Sequence, residues 1–431
     1  MALTKLPVEL ISLISSFLDT PSFLTLRYAS RSVEAGTRLL FRRRYFSSRG
    51  VMLYEPSLEN LLEIASSEEF RTCVETVIVC LDHIPDSTAA IMYSELRLDA
   101  LGEYVPLDQL PGRDAIGDYD SDHGSPAGEV EIGTGSADSN RGLQDHAREQ
   151  ARFIKSGIAS CYLSSAFSRL PNLKSIQISD TFIPWGARSF RRVTGLRMVS
   201  TLTNMVDLDL VQATVQETLT ATYSSSAQPL ALSIIVGFAD EAIRPDLLVP
   251  SGFLARFMRA RHSVIAELCL SVSPFLQNDR RVWIDDFLSF VHLFPQLEVL
   301  DLGFNVVDEH LHFSTIGRRA HFPRLRELRL GYIVCEADSI AHMVERHKST
   351  LRELVLTPME LPAGSGSWPP LLALILGAEL MVEEVVIEEC IEGDLMLYLH
   401  STRKLSSFQI SKRGPDSLPE MFAGLQLERE A

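Results

Sequence analysis

"FPQLEVLDLGFNVV", residues 294–307, contains the hexad LEVLDL, in which Leu297, Leu300 and Leu302 are spaced so that the end of the hexad alternates apolar with polar. Alternation at period two is what a strand with one buried face requires. The same frame recurs as LKSIQI from Leu173, MVDLDL from Met205, IAELCL from Ile265, LRELRL from Leu325, LRELVL from Leu351, VEEVVI from Val382 and LSSFQI from Leu405, with an earlier VETVIV from Val74. From Leu173 onward the steps are 32, 60, 32, 28, 26, 31 and 23 residues, and the 60 is close to two units, with a degenerate copy expected near PLALSIIVGF. Between hexads lie stretches of helical spacing, such as DDFLSFVHLF from Asp285 and ADSIAHMVERH from Ala337.

One short strand plus one helix at this interval resembles the leucine-rich repeat, and Asn305 occupies the place of that family's asparagine ladder. The resemblance implies an α/β leucine-rich-repeat solenoid, a horseshoe, with its array over 151–414 and a linker with a first strand or cap over 49–104. The alternative is an ordinary α/β sheet whose strands are leucine-rich. With the leucines turned inward, the residues between them face outward on a concave strand face. Neighbouring strands lie about 4.8 Å apart, so Asp301, Arg329 and Val355 are expected in one row and Arg326 and Arg352 in a parallel row. These are the candidate target-binding residues. Arginines so placed can fork onto carboxylate or phosphate, which favours an acidic or phosphorylated ligand.

The chain opens on a different pattern, LPVELISLISSFLDTPSFLTLRYASRS from Leu6. Set at about 100° per residue, Leu10, Ile11, Leu13, Ile14, Phe17 and Leu18 fall on one side of a helix and Ser12, Ser15 and Ser16 on the other. Pro7 suits the first turn of that helix, and Thr20 can cap a second one beginning at Pro21. The stretch resembles the F-box, a three-helix module that docks on a Skp-family adaptor and so onto a cullin-based ubiquitin ligase. Leu6 and Pro7 match its opening Leu-Pro, Glu9 and Leu10 its acidic-apolar step, and Ile14 and Leu18 its first-helix ridge. Asp19, Pro21, Leu24 and Leu26 follow its turn and second helix, and LLFRRRYF resembles the ending of many fungal versions. The resemblance implies a small all-α module at 1–48 that precedes the array, with Leu6, Pro7, Glu9, Leu10, Ile14, Phe17, Leu18, Leu24 and Leu26 meeting the adaptor. An apolar face wider than its own bundle needs is a docking surface.

Composition narrows the functions. A formal charge of −16 argues against general nucleic-acid binding, because phosphates require a basic surface. No apolar run approaches the roughly 18 to 20 residues that span a bilayer, so no membrane partner is expected. The six cysteines, Cys73, Cys80, Cys161, Cys269, Cys335 and Cys390, are scattered and read as reduced core thiols of an intracellular protein, cytoplasmic or nuclear. There is no phosphate-cradling loop, nucleophile elbow or H-E-x-x-H motif. His310 and His312 in EHLHF lack a ligand at closing distance in sequence, and no metal or cofactor is expected. Asp207 and Asp209 share one face if MVDLDL is a strand.

From Asp108 to Glu149 ten acidic residues stand against three arginines among Gly and Ser. Such a stretch buries too little apolar surface to offset its ordering entropy, and 105–150 is read as a disordered insertion. Residues 415–431 are a tail. The parts together imply a non-catalytic substrate receptor of a Skp–cullin–F-box type ubiquitin ligase, holding an unknown target protein. The rivals are a repeat scaffold without a ubiquitin role and an enzyme with an unrecognised site.

Overall fold

The computed structural model describes residues 6–81, 83, 137–179, 208–236, 243–261, 264–272, 282–304, 310–377, 380–400, 404–411 and 424–428. They divide into two compact units, the first made of the described residues up to 173 and the second of those from 174 onward. Asn305, Asp207 and residues 105–136 of the acidic stretch lie outside the described residues.

The first unit begins with three helices, α1 (Val8–Ser16), α2 (Thr20–Tyr28) and α3 (Arg31–Phe46). Pro7 stands just outside α1 as its N-cap, one place earlier than expected. Asp19, not Thr20, caps α2 by accepting the Ser22 N–H at 3.0 Å, which satisfies a donor the helix itself leaves unpaired. Ser30 caps α3 in the same way through Ser32, at 3.1 Å. The core of this bundle is Phe23, fully buried and stacked on Tyr45 at 6.0 Å between centroids. Around it Arg27 lies 4.0 Å over the Phe41 ring, and Arg44 donates to the Leu18 carbonyl at 2.8 Å.

The chain continues through β1 (Ser48–Met52), α4 (Glu55–Ser66) and β2 (Thr76–Cys80), where β2 pairs parallel with β1. Two more helices, α5 (Ala137–Lys155) and α6 (Ile158–Phe167), are joined at Gly157, whose φ of 71° is the left-handed conformation glycine adopts without strain. Helix α5 starts inside the stretch read as a disordered insertion, so its last residues, from Ala137, are helical. Gln150 of α5 donates to the Leu53 carbonyl at 3.2 Å.

In the second unit the main strands are β3 (Ser175–Ser179), β4 (Ala231–Ile235), β5 (Glu267–Val272), β6 (Val299–Phe304), β7 (Glu327–Gly331), β9 (Glu353–Leu356), β11 (Glu384–Glu388) and β15 (Ser407–Ser411), paired in that order. All pairs are parallel except the last, β11 with β15. Helices connect them: α7 (Leu208–Ser224), α8 (Pro245–Leu248), α9 (Gly252–Ala260), α10 (Val282–Val291), α11 (His310–Arg319), α12 (Ala337–Arg346) and α13 (Trp368–Ile375). The inward residues of each strand form continuous buried rows, for example Leu268, Leu300, Leu328, Leu354, Val385 and Ile410. A second sheet is built from short strands that follow the main ones, β8 (Ile333–Val334), β10 (Met359–Leu361) and β12 (Ile391–Glu392), with β13 (Leu395–His400), β14 (Lys404–Leu405) and β16 (Leu425–Glu428) completing it. The segment read as a tail thus supplies β16, which pairs with β13.

This architecture corrects the expected leucine-rich-repeat horseshoe. Mostly parallel strands, two in the first unit and eight in the second, alternate with helices in an α/β arrangement that follows the N-terminal helical run. The hexads locate strands because any strand packed on one side by helices needs that alternation; they do not specify a repeat. The connections differ in length and helix number, β15 reverses direction, and MVDLDL runs into α7, so Asp209 is exposed on a helix.

Candidate functional site

Two surfaces carry the candidate residues. Of the apolar arc within α1, only Ile11 is buried. Val8, Leu10, Leu13, Ile14 and Phe17 are 50, 45, 55, 41 and 81% exposed, while Ser15 is fully buried. Ser12 also faces inward and donates to the Gly36 carbonyl of α3 at 3.3 Å. Leu10, Leu13, Ile14 and Phe17 occupy roughly 100° of arc, so the apolar face is continuous and open. Of the other residues expected to meet an adaptor, Pro7 and Glu9 are exposed, and Leu6, Leu18, Leu24 and Leu26 are half-buried. Tyr28 and Leu39 are also exposed; sequence reasoning did not single them out, and a helical wheel extended into α2 and α3 is the signal that finds them.

The inward serine carries a measurable cost. The Ser15 hydroxyl is buried and, among the described residues, meets no hydrogen-bond partner, and such a group costs on the order of 1–3 kcal/mol. Ser15→Ala is therefore expected to stabilise the protein by about 1 kcal/mol, read as a higher urea midpoint without a change in slope.

The second surface is the face of the main sheet opposite its buried leucines. Asp301, Arg329 and Val355 stand in register on β6, β7 and β9, as one row. Arg326 and Arg352 are neighbours, the Arg352 N–H donating to the Arg326 carbonyl at 2.7 Å, but they are not the row that runs parallel to Arg329 on this face. Each sits one residue ahead of its strand, at the parity of the buried Leu328 and Leu354. The parallel row on the open face is Val299, Glu327, Glu353 and Glu384. Aligning the hexads position by position was the signal for these glutamates, since all three occupy the third place. The arginines are already engaged: Arg329 with Glu327 at 2.5 Å, Arg326 with Glu298 at 3.8 Å, and Arg352 with the Met381 carbonyl at 3.4 Å.

Like charges directly opposite on neighbouring strands oppose folding. Burial, and then the carboxylates of Glu327 and Glu384, hold the Glu353 carboxyl above its ordinary value. The folded protein then binds its proton more tightly than the unfolded chain, so this group's effect on stability worsens as pH rises through the carboxylate range. Glu353→Gln is expected to raise the melting temperature at pH 7, with the gain shrinking on acidification towards pH ~4, as followed by thermal unfolding across pH.

Cys269 and Asp301 face each other on the same surface. Burial, reinforced by Asp301, pushes the Cys269 thiol up to about 11, so it is no nucleophile at neutral pH. Cys80, Cys335 and Cys390 are buried, whereas Cys161 is exposed and is not the core thiol expected. His347 is a buried core histidine whose Nε2 accepts from the Phe322 N–H at 3.0 Å. Among the described residues no group of His, Cys, Asp and Glu could hold a metal ion, and no helix is long and apolar enough to cross a membrane. No protein-family model and no curated protein matches this sequence.

Proposed function

We propose that the chain is the substrate-recognition subunit of a Skp–cullin–F-box type ubiquitin ligase, acting in the cytoplasm or nucleus without a catalytic residue of its own. The observation that carries this reading is the open apolar face of the first helix: α1 buries Ile11 and Ser15 and leaves Leu10, Leu13 and Ile14, with Phe17 just beyond its end, open. A partner that covers this face removes apolar surface from water at about 25 cal/mol per Å². The three-helix order and the residues that resemble the F-box make a Skp-family adaptor the partner of choice, and a cullin scaffold follows through it. The mechanism is proximity, because tethering a target beside a ubiquitin carrier raises its effective concentration without any group here reacting.

The target surface assigned in this proposal is the open sheet face of the second unit, around Asp301, Arg329 and Val355. Among the described residues its carboxylates, Asp301, Glu327, Glu353 and Glu384, outnumber its cation Arg329, which is already paired with Glu327. A target segment carrying Lys or Arg fits this face better than the acidic or phosphorylated one the sequence suggested.

The test is co-elution of the full chain with a recombinant Skp-family adaptor in size-exclusion chromatography, followed by ubiquitin transfer to captured proteins in the presence of cullin. A stable complex is expected. Failure to co-elute at micromolar concentrations overturns the ligase reading and leaves an interaction scaffold.

A further inference from the structure

We infer that helix α9 is a docking site for an acidic segment of a partner protein. The helix is held rigidly on its inner side, where Leu254 and Met258 are buried and Ser251 caps it by accepting the Leu254 N–H at 3.3 Å. Gln216 of α7 fixes its entry, donating to the Val249 carbonyl at 2.8 Å and accepting the Ser251 N–H at 2.9 Å. Its outer side is unusual for a chain of net charge −16. Phe253 is 81% exposed and lies parallel to the half-buried Phe257, 6.4 Å between centroids.

Arg256 and Arg259 are exposed beside this pair and, among the described residues, meet no carboxylate. Arg261, at the end of the helix, lies 5.3 Å over the Phe257 ring, and its Nη1 donates to the Tyr223 carbonyl. That guanidinium also forms part of the wall of a cleft of about 340 Å³ shared with Tyr223, Gln228, Pro229, Val264 and Ile265.

The chemistry of the occupant follows from these positions. Residues three and four apart share a helix face, so Phe253, Arg256, Phe257 and Ala260 make one stripe, flanked by Arg259 and Arg261. An exposed aromatic platform takes an apolar side chain, and guanidiniums without counter-charges take carboxylates. A segment that alternates acidic and apolar residues satisfies both. An anionic membrane offers the same charge over a plane, but it also confronts the remainder of a strongly acidic chain and is repelled by it. A short acidic segment covers the arginines alone.

The probe is a labelled peptide alternating glutamate with leucine and tryptophan, titrated into the full chain by fluorescence anisotropy, with its glutamine counterpart and phosphatidylserine vesicles as parallel arms. The glutamate peptide is expected to bind and to weaken with added salt. Arg256→Ser with Arg259→Ser should reduce its affinity about tenfold, the size of two surface ion pairs, and Phe253→Ser should reduce it several-fold. All three side chains are solvent-facing, so unfolding midpoints and adaptor co-elution should be unchanged, which separates this inference from the ligase proposal. No binding, equal binding of the glutamine peptide, affinity indifferent to the substitutions, or arginine-dependent capture by vesicles in place of the peptide overturns it.

Discussion

Replacing Leu10 and Ile14 together by Asp is expected to abolish capture of a Skp-family adaptor while leaving the melting temperature within a few degrees. Both side chains already face solvent, at 45 and 41% exposure, so a carboxylate at either position costs the free protein little. In the complex the same positions are covered, and a charge buried without a partner costs several kcal/mol. Two such costs correspond to a loss of at least about 100-fold in affinity. Leu10→Met with Ile14→Val keeps the apolar face and should keep the adaptor, which isolates charge from shape. Pull-downs at equal expression decide the matter, and undiminished recovery of the adaptor by the aspartate variant removes the ligase proposal.

How far the sequence reaches is visible in particular segments. LEVLDL, LRELRL and LRELVL fall on β6, β7 and β9 because a strand that buries one face must alternate, and the alternation survives in six residues. The same short window misleads at MVDLDL. Extended to 219, it shows buried Leu210, Val211, Val215 and Leu219 at helical spacing, and the chain there is α7. Alternation reports which face is buried and says nothing of how strands are connected, which is why it could not separate a repeat horseshoe from a mostly parallel α/β sheet. The two- and three-residue strands β8, β10 and β12 are shorter than any period and left no trace. On α1 the arc of apolar residues was legible, but not its direction. The buried Ser15 is a tertiary fact, fixed where α1 crosses α3 at Gly36, a residue where an added Cβ would come within 3.4 Å of Val8.

Trp368→Ala is expected to be the most damaging single substitution within the second unit. Trp368 opens α13 and is followed by Pro369 and Pro370, whose missing N–H groups fall where a helix has no acceptors to offer them. Its indole Nε1 donates to the Ile391 carbonyl of β12 at 2.8 Å, and its own N–H donates to the Glu392 carboxylate at 3.2 Å. Glu392 also accepts from the Ser367 hydroxyl at 2.8 Å, so a single residue pins the helix layer to the second sheet. Truncation to Ala removes a fully buried indole and leaves a cavity, at about 3–5 kcal/mol, and the loss of the half-buried hydrogen bond to the Ile391 carbonyl adds about 1 kcal/mol. Set against a typical stability of about 5–15 kcal/mol, the variant should unfold at a much lower denaturant concentration. Trp368→Phe separates the two causes, because it keeps most of the ring and loses the donor. Its denaturation midpoint should fall between wild type and Trp368→Ala, and equal midpoints for the two variants would mean that the indole hydrogen bond, not packing, holds α13 to β12.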